Sequence, residues 1–436
     1  MRITVAGLDY RGLALAACLA EKGHVVTCID KDSNRMNQLK MGDLPFYEQQ
    51  LAEKLANNKS NLIFTTSQCD AYKNARVIMI SAPSEINEDG SANMEGIFEM
   101  VIQAAKKLEQ DCFVSIKSAV PIGTNEKAEK LMREHLVHDV NVEFVANPDL
   151  FRLGNAVNDL LNVSHIVIGT ETEAAETVMR EVYEGFHRPF VVINRRSAEL
   201  LKYAVDGMLS IQNSFLDELA NICEKTEANI EDIARGLGCN LGIGKHYMQN
   251  CLGYGEQSYI KGNKSLKYCG ILNEVNMRTV EAAMESNAIQ KWRLLNKGNK
   301  YFDSYSGLTI AILGLACKPG TDNIDNSLAL CYIQSLLKMK GKMKVWDPVA
   351  MNNLKKLYPA EVTYCASVEE TIEDADICFI FTKWPDIQFF DVYGYAQYMK
   401  TPIILDAVNC YSLCDAEEAG VVYESIGRKM IDGREN

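Results

Sequence analysis

Apolar and polar positions along the first part of the chain follow two periodicities in turn. Short β-branched runs, RITVAG at residues 2–7 and HVVTCID ending at Asp30, predict strands. Between them, LALAACLAEKG has the apolar spacing of a helix with a glycine stop. Further strands are predicted at ARVIMISAP, CFVSIKSAV and VEFVANP, with helical segments between them. This alternation is typical of βαβ units and predicts a parallel sheet in a first domain that ends near Ile193.

A different pattern begins at Ser197. The stretch SAELLKYAVDGMLSIQNSFLDELANICEKT is amphipathic along its length, and ANIEDIARGL continues as helix. We therefore expect a helical middle domain. Its long helices are predicted to pair across a dimer; the alternative is a spacer that packs only within its own chain.

The βαβ rhythm returns at Gly307. A strand in LTIAILGLACKPG, a helix in LCYIQSLLKMKG and the strands MKVWDP, ICFIFT and PIILDA form a second unit. The predicted class is α/β, with two Rossmann-like doubly wound parallel-sheet domains joined by a long-helix central domain. Ligands are expected at the carboxyl ends of the strands. The predicted domains are residues 1–193, 194–300 and 301–436.

Composition narrows the classes of function. The chain has 436 residues, 47% of them hydrophobic and 24% charged, which predicts a globular protein of two or three domains. A net charge of −13 argues against nucleic acid or an anionic membrane as partner. MRITVAGLDYRG has no cationic leader, and no long apolar segment follows, so a cytoplasmic location is expected. Fourteen cysteines without a CxxC pair and six histidines without HExxH spacing predict core thiols and no metal site.

The sequence Gly7-Leu8-Asp9-Tyr10-Arg11-Gly12 follows a predicted strand and opens a helix, and Asp30 lies eighteen residues beyond Gly12. This context predicts a dinucleotide site, and Asp30 favours NAD over NADP because its carboxylate would bind the ribose and repel a 2′-phosphate. Asp9 replaces the fingerprint's second glycine and adds bulk and like charge at an anion site. The alternative is a Rossmann turn kept for folding while the cofactor is lost.

Nearly the whole chain resembles the UDP-glucose 6-dehydrogenase family, which includes UDP-N-acetylhexosamine and GDP-mannose dehydrogenases. The matching segments, in the family's order, are KSAVPIGT (117–124), ANPDLFRLGNAV (146–157), RSAELLKYA (196–204), GYGEQSYIKG (253–262), LGLACKPGTDNI (313–324), WDPVA (346–350) and LDAVN (405–409). The resemblance implies an NAD-binding first domain, dimerisation through the central helices and a UDP-sugar-binding third domain. It implies two NAD-linked oxidations of a sugar C6 alcohol to a carboxylate, through a cysteine thiohemiacetal and thioester.

The resemblance also assigns binding positions in this sequence. The implied NAD contacts are Gly7, Asp9, Tyr10, Gly12, Asp30 and Ser84. The implied UDP-sugar contacts are Phe151, Arg152, Lys202, Tyr247, Gly253, Gly255, Lys261 and Lys318.

The implied catalytic positions are Ser258, Lys202, Asp149 and Asp206. Several depart from the family pattern. The family's nucleophilic Cys falls on Ser258, whose hydroxyl would need a strong base, and Asp206 replaces an Asn beside the oxyanion site. Further family side chains are missing at Ala119 (water-positioning Thr), Leu153 (hydrolytic Glu), Gly262 (loop Asp), and Gly242, Val408 and Asp325 (arginines).

Three hypotheses remain open. The chain is a dehydrogenase with weak chemistry or a displaced nucleophile, for which Cys251 is the candidate. Alternatively it is a pseudoenzyme that binds a UDP-sugar and acts as a regulator or as the partner subunit of an active paralogue. The third hypothesis is a dimeric scaffold without a small ligand. Because the retained positions are mostly binding groups and the lost ones mostly catalytic, the chemistry favours the second.

Overall fold

A computed structural model describes residues 1–83, 85–240, 252–255 and 257–435. The chain divides into two units, the first comprising Met1–Asp206 with Lys264–Asn276 and the second Gly207–Asn263 with Met277–Asn436. Each unit contains one large, mainly parallel sheet. The predicted class, two Rossmann-like sheets joined by long helices, is confirmed, whereas the three predicted domain boundaries stay a prediction.

The described part of the first unit contains ten strands. They are β1 (Arg2–Ala6), β2 (Val25–Ile29), β3 (Leu62–Thr65), β4 (Val77–Ile80), β5 (Glu85–Ile86), β6 (Ala92–Asn93), β7 (Cys112–Ile116), β8 (Val142–Ala146), β9 (Ile166–Gly169) and β10 (Phe190–Ile193). Of these, the sequence predicts β1, β2, β4, β7 and β8. The sheet order is β10-β9-β8-β7-β4-β1-β2-β3, and β5 and β6 form a separate hairpin. Within the eight-stranded sheet the pairs are parallel except β8 with β9, and the β5–β6 pair is antiparallel.

Helices cover this sheet with their apolar faces. They are α1 (Tyr10–Glu21), α2 (Ser33–Met41), α3 (Leu51–Asn57), α4 (Gln68–Tyr72), α5 (Glu95–Ala105), α6 (Thr124–His135), α7 (Ala156–Leu161) and α8 (Glu173–Tyr183). Three-residue helical turns lie at Lys59–Asn61, Glu184–Phe186 and, at the end of the chain, Gly433–Glu435. Helix α1 is almost wholly buried, with Leu13, Leu15 and Leu19 in the core.

The carboxyl ends of five strands meet at one edge of this sheet. Register places the last residues of β1, β2, β4, β7 and β8 side by side. The segments that follow begin with Gly7 after β1, Asp30 after β2, Lys117 after β7 and Asn147 after β8. A ligand-binding edge is therefore assembled from segments distant in sequence.

The middle of the chain is helical, as its amphipathic pattern predicts. The helices are α9 (Arg195–Thr226), α10 (Ile230–Cys239), α11 (Gln257–Leu272), α12 (Arg278–Gln290) and α13 (Arg293–Gly298). The resemblance places Gly262 at the position of a loop Asp, but in this structure Gly262 lies in a helix, because α11 begins at Gln257. Residues 258–262 therefore stand on the first turns of a helix.

The second unit repeats the α/β pattern. Its strands are β11 (Thr309–Leu313), β12 (Lys342–Trp346), β13 (Val362–Tyr364), β14 (Ile377–Ile380), β15 (Ile403–Asp406), β16 (Val422–Ser425) and β17 (Ile431–Asp432), in the order β13-β12-β11-β14-β15-β16-β17. Its helices are α14 (Leu328–Lys338), α15 (Met351–Leu357), α16 (Val368–Ile372), α17 (Pro385–Gln388), α18 (Tyr393–Tyr398) and α19 (Leu413–Glu418). Only the β16–β17 pair is antiparallel. The strand order reverses between β11 and β14, where doubly wound sheets bind ligands.

In the described part of the chain, no helix is both long enough and apolar enough to cross a membrane. None of the thirteen described cysteines forms a disulfide, and seven of them are buried. Within the same residues, no group of three or more His, Cys, Asp and Glu side chains is arranged to hold a metal ion.

Candidate active site

Close packing is by itself enough to require glycine at both ends of the turn between β1 and α1. Gly7 has φ +90°, and a Cβ there would lie 2.5 Å from the Ser81 carbonyl oxygen. A Cβ on Gly12 would lie 1.9 Å from the Gly7 carbonyl oxygen. These glycines let strand, turn and helix approach closely, so they fit a Rossmann turn whether or not a dinucleotide binds.

Asp9 is the N-cap of α1. Its Oδ1 accepts hydrogen bonds from the backbone N–H groups of Arg11 at 3.0 Å and Gly12 at 3.2 Å. Such a cap typically stabilises a helix by about 1 kcal/mol, because the first N–H groups have no partner within the helix. The acidic residue that departs from the fingerprint thus has a clear structural use.

Arg11 holds Asp9 from the side. Its Nε and Nη2 donate to Asp9 Oδ2 at 3.0 and 2.6 Å, and its Nη1 lies 3.7 Å from Asp149 Oδ2. Burial lowers the pKa of the Arg11 guanidinium, but Asp9 and Asp149 outweigh it and raise that pKa above its ordinary value. Arg11 is therefore a fixed cation between the dinucleotide turn and the segment after β8. The guanidinium also lies over the Tyr10 ring, 5.5 Å from its centroid.

Asp30, the predicted ribose ligand, lies at the end of β2 and is already bonded. Its Oδ2 accepts from the Leu8 N–H at 2.7 Å and from Arg35 Nη1 at 3.1 Å, and its Oδ1 accepts from the Asp32 N–H at 2.9 Å. The carboxylate ties the first turn to the start of α2. A ribose hydroxyl would have to share these oxygens with three existing donors.

Lys202, Asp149 and Asp206 come together, as their predicted catalytic roles require. Lys202 Nζ lies 3.2 Å from Asp206 Oδ1 and 3.9 Å from Asp149 Oδ1, and all three side chains are buried. Burial lowers the pKa of Lys202, but the two carboxylates overcome this effect and raise it. The ammonium is therefore charged and already paired.

These contacts join into one chain of charges, Asp9–Arg11–Asp149–Lys202–Asp206, which we call the acid–base chain. It contains three carboxylates and two cations within the first unit. Asp149 Oδ1 is buried and has no hydrogen-bond partner among the described residues. Sequence reasoning missed Arg11; the available signal was a cation beside an acid inside a glycine fingerprint that precedes an apolar helix.

A second lysine, Lys117, lies beneath the segment after β8. Its Nζ donates to Asn147 Oδ1 at 3.1 Å and to the Tyr183 hydroxyl oxygen at 3.3 Å. Burial lowers the pKa of Lys117 to about 8, with Asp149 opposing the effect. These residues line a small, mostly apolar cleft of about 50 Å³ that also includes Phe151. Lys117 is a further group that the sequence did not single out.

Arg152, a predicted substrate contact, is exposed and forms a two-pronged pair with Asp159. Arg152 Nε and Nη2 lie 2.9 and 2.7 Å from the Asp159 oxygens. This pair, with the Arg152 N–H bonded to the same carboxylate at 2.9 Å, braces the loop before α7. Arg152 would need to leave Asp159 before its guanidinium could bind a ligand.

Ser258 and Lys261 both lie on α11 in the second unit, Ser258 at its second residue. The Ser258 side chain is partly exposed. Among the described residues, no acidic or basic side chain is hydrogen-bonded to the Ser258 hydroxyl, so none of them would activate it as a nucleophile. Gly262, at the position of the family's loop Asp, is buried in the same helix.

The glycines before α11 have specific backbone roles. Gly253 has φ +76°, and a Cβ there would lie 2.5 Å from Asn287 Oδ1. A Cβ on Gly255 would lie 2.4 Å from the carbonyl oxygen of Asn326, which follows the Lys318 segment in sequence. The loop is thus held closely against other parts of the second unit.

Asp217 on α9 lies beneath this loop. Its carboxyl group accepts a hydrogen bond from the Gly253 backbone, and burial raises the pKa of Asp217 well above its ordinary value. Its Oδ2 has no partner among the described residues. The predicted positions Ser84, Tyr247, Gly242 and Cys251 lie outside the described residues.

Family models match three successive parts of the chain. Residues 1–187 match the NAD binding domain of the UDP-glucose/GDP-mannose dehydrogenase family, residues 196–289 its central domain and residues 311–413 its UDP binding domain. NAD is thus the cofactor of the family to which the first domain corresponds.

Relatives match over almost the full length. A UDP-glucose 6-dehydrogenase of Bacillus subtilis, YwqF, is 34% identical over 99% of this chain and 98% of its own. A UDP-glucose 6-dehydrogenase of Pseudomonas aeruginosa is 33% identical over 98% of each. The solved UDP-glucose dehydrogenase of Pyrobaculum islandicum superposes with a TM-score of 0.88 at 25% identity, covering 96% of this chain and 95% of that one. From its full-length sequence similarity and its three matched domains, the chain belongs to the UDP-glucose/GDP-mannose dehydrogenase family.

Proposed function

We propose that this chain is a UDP-sugar-binding pseudoenzyme of the family, which holds the nucleotide sugar without oxidising its C6 alcohol. The observation that carries the proposal is the pairing of Lys202 with Asp206 at 3.2 Å and with Asp149 at 3.9 Å. In the family chemistry, a lysine at this position stabilises negative charge that develops on the sugar oxygen. Here two carboxylates already neutralise its charge.

The charges around Lys202 oppose the oxidation. An oxyanion is stabilised by donors that are free and preorganised when the charge develops. An oxyanion near Lys202 would instead meet the negative charge of Asp206 and Asp149 at short range. The nucleophile position supports the same conclusion, because Ser258 has a hydroxyl in place of a thiol and no bonded base among the described residues.

Binding is supported by what the second unit retains. Residues 311–413 correspond to the family's UDP binding domain, and Lys318 lies in the segment after β11, at the point where the strand order reverses. Gly253 and Gly255 keep the close backbone approach that the loop before α11 requires. These features favour a sugar-nucleotide ligand over a scaffold without one.

A homodimer through the central helices is part of the proposal. Met208, Phe215 and Ile222 recur every seven residues on α9 and are 65%, 55% and 57% exposed. Seven-residue spacing is the pattern of a helix that packs along another helix, and a second copy presents the same stripe. Light scattering is expected to show a dimer that Phe215→Glu dissociates; a wild-type monomer would contradict this part.

We also propose a cytoplasmic setting, and a role as regulator or partner subunit of an active paralogue. Nucleotide sugars and NAD are water-soluble metabolites. Because they are anions and the chain has a net charge of −13, local cationic groups have to hold them. The competing hypothesis is a dehydrogenase with a displaced nucleophile; it requires turnover, which the pseudoenzyme lacks.

Calorimetric titration with UDP-glucose, UDP-N-acetylglucosamine and UDP tests the proposal. We expect saturable binding of at least one UDP-sugar, weakened roughly tenfold or more by Lys318→Ala because a charge-assisted contact is lost. Lys338→Ala, an exposed lysine on α14 of the same unit, is the matched control and should leave binding unchanged. Absence of binding by all three nucleotides would contradict the proposal and favour the scaffold.

A further inference from the structure

The N-terminus of α1 already holds an anion that belongs to the chain. The Asp9 carboxylate accepts the N–H groups of Arg11 and Gly12 at the helix start. In a Rossmann domain these donors, with the positive end of the helix dipole, hold the dinucleotide pyrophosphate. In this chain the carboxylate takes the same donors.

Arg11 keeps that carboxylate in place. Two guanidinium nitrogens contact Asp9 Oδ2 at 3.0 and 2.6 Å, so backbone and side chain grip the two carboxylate oxygens separately. The side chains of Asp9 and Arg11 are only 19% and 18% exposed, which limits the water that could replace these contacts. A carboxylate held at four points is not a freely rotating side chain.

We propose that Asp9 substitutes for the pyrophosphate and closes the dinucleotide site, so that the first unit does not bind NAD while the Asp9–Arg11 pair is intact. The residues present do not fit the cofactor as they stand. A pyrophosphate would bring further negative charge against Asp9 and would find the Arg11 and Gly12 donors engaged. The inference extends the proposed loss of oxidation to the cofactor itself.

The ribose position agrees with this assignment. Asp30 is bonded to the Leu8 N–H, the Asp32 N–H and Arg35, so it too is engaged within the chain. A carboxylate has about four acceptor positions, so a ribose hydroxyl could still share Asp30 with these three donors, and the obstacle to the dinucleotide that a single substitution can remove lies at Asp9.

The Asp9–Arg11 pair also affects the surroundings of Lys202. Through Arg11, Asp9 is connected with Asp149, which lies 3.9 Å from Lys202. If Asp9 moved away, Arg11 could bind a phosphate instead. The Arg11 charge would then neutralise less of the negative charge of Asp149. Arg11 is thus a positioning residue that connects the closed dinucleotide turn to the lysine of the candidate active site.

The experiment is a calorimetric titration of NAD into the full-length wild type, Asp9→Gly and Asp9→Asn. Asp9→Gly restores the fingerprint glycine and removes both bulk and charge. Asp9→Asn keeps a good N-cap residue and removes only the charge, so it remains informative if the glycine variant folds poorly. Thr172→Gly removes the N-cap of α8 in the same unit and controls for cap loss.

We expect no saturable heat from the wild type up to about 1 mM NAD, at least roughly tenfold tighter binding by Asp9→Gly, and a smaller gain by Asp9→Asn. Thr172→Gly should behave as wild type. Tight NAD binding by the wild type, or unchanged affinity in a folded Asp9 variant, would overturn the inference. UDP-glucose, UDP-N-acetylglucosamine and UDP are titrated into the same samples. Absence of binding by all three contradicts the proposed function, whereas wild-type NAD binding beside intact binding of one of them contradicts only this inference.

Discussion

Replacing Lys117 by Met should change how stability depends on pH. Lys117 is 4% exposed, and burial lowers its pKa from 10.5 to about 8. In the unfolded chain the lysine keeps its ordinary pKa. Between about pH 8 and 10.5, the unfolded state therefore binds more protons than the folded state, and this group makes stability rise with pH.

The magnitude follows from the two pKa values. One pKa unit corresponds to about 1.4 kcal/mol. The shift from 10.5 to about 8 therefore lowers the free energy of unfolding of the wild type by about 3 kcal/mol at pH values where Lys117 is protonated in both the folded and the unfolded state. As the pH rises from about 7 to 9.5, the folded state releases this proton, and the free energy of unfolding of the wild type rises by about 2 kcal/mol. Lys117→Met removes the titration, and its lost contacts with Asn147 and Tyr183 shift stability equally at both pH values.

The assay is urea unfolding of wild type and Lys117→Met at the two pH values. We expect the variant's stability relative to wild type to fall by about 2 kcal/mol as the pH rises from about 7 to 9.5. Lys107→Met, at an exposed position of the same unit, is the control and should show no such change. A pH-independent difference for Lys117→Met would refute the reasoning, because it would mean that the buried ammonium has an ordinary pKa.

Three further predictions concern charge and the nucleophile position. Asp206→Asn removes one partner of the buried Lys202 and should destabilise the protein by up to about 3 kcal/mol in urea unfolding, moderated by Asp149; unchanged stability would contradict the buried pair. Ser258→Cys should gain a thiol that iodoacetamide labels and yet form no NADH with UDP-glucose, because the paired Lys202 is unchanged; NADH formation would show that the missing thiol was the main defect. Burial raises the pKa of Asp217. The folded state therefore keeps a proton that the unfolded chain loses above about pH 4. The contribution of this group to the free energy of unfolding falls as the pH rises towards the raised pKa. Asp217→Asn should abolish that fall, seen as a widening advantage over wild type in urea midpoints between about pH 5 and 8, whereas parallel pH profiles would argue against a buried neutral acid.

Much of the fold could be predicted because its signals are local. The β-branched runs of β1 and β2, the glycine turn between β1 and α1, and the amphipathic pattern of α9 each lie within one stretch of sequence. The pair between Lys202 and Asp206 also has a local signal, because residues four apart share one face of a helix.

The rest of the candidate site depends on contacts between distant segments. The contact between Arg11 and Asp149 joins residues 138 positions apart, and no periodic pattern in the sequence predicts it. The burial of Asp217 under Gly253 likewise depends on packing of a helix against a loop. The start of α11 at Gln257 was not predicted, because the family resemblance placed Gly262 in a loop.

The sequence predicted that Asp9 would disturb an anion site through its bulk and charge. It did not predict that the carboxylate would cap α1 and be held by Arg11, two residues further along. Local spacing allows such a cap, but only the conformation of the turn decides between a cap and a side chain pointing into solvent.

We propose above that the chain binds a UDP-sugar without oxidising it, and one experiment can test binding and oxidation together. The most direct measurement incubates high concentrations of the protein with UDP-glucose and NAD, and follows NADH by absorbance and the sugar nucleotide by mass spectrometry, in samples where calorimetry has established UDP-glucose binding. We expect bound, unchanged UDP-glucose and no NADH. Formation of NADH together with the UDP-linked uronic acid would contradict the proposal.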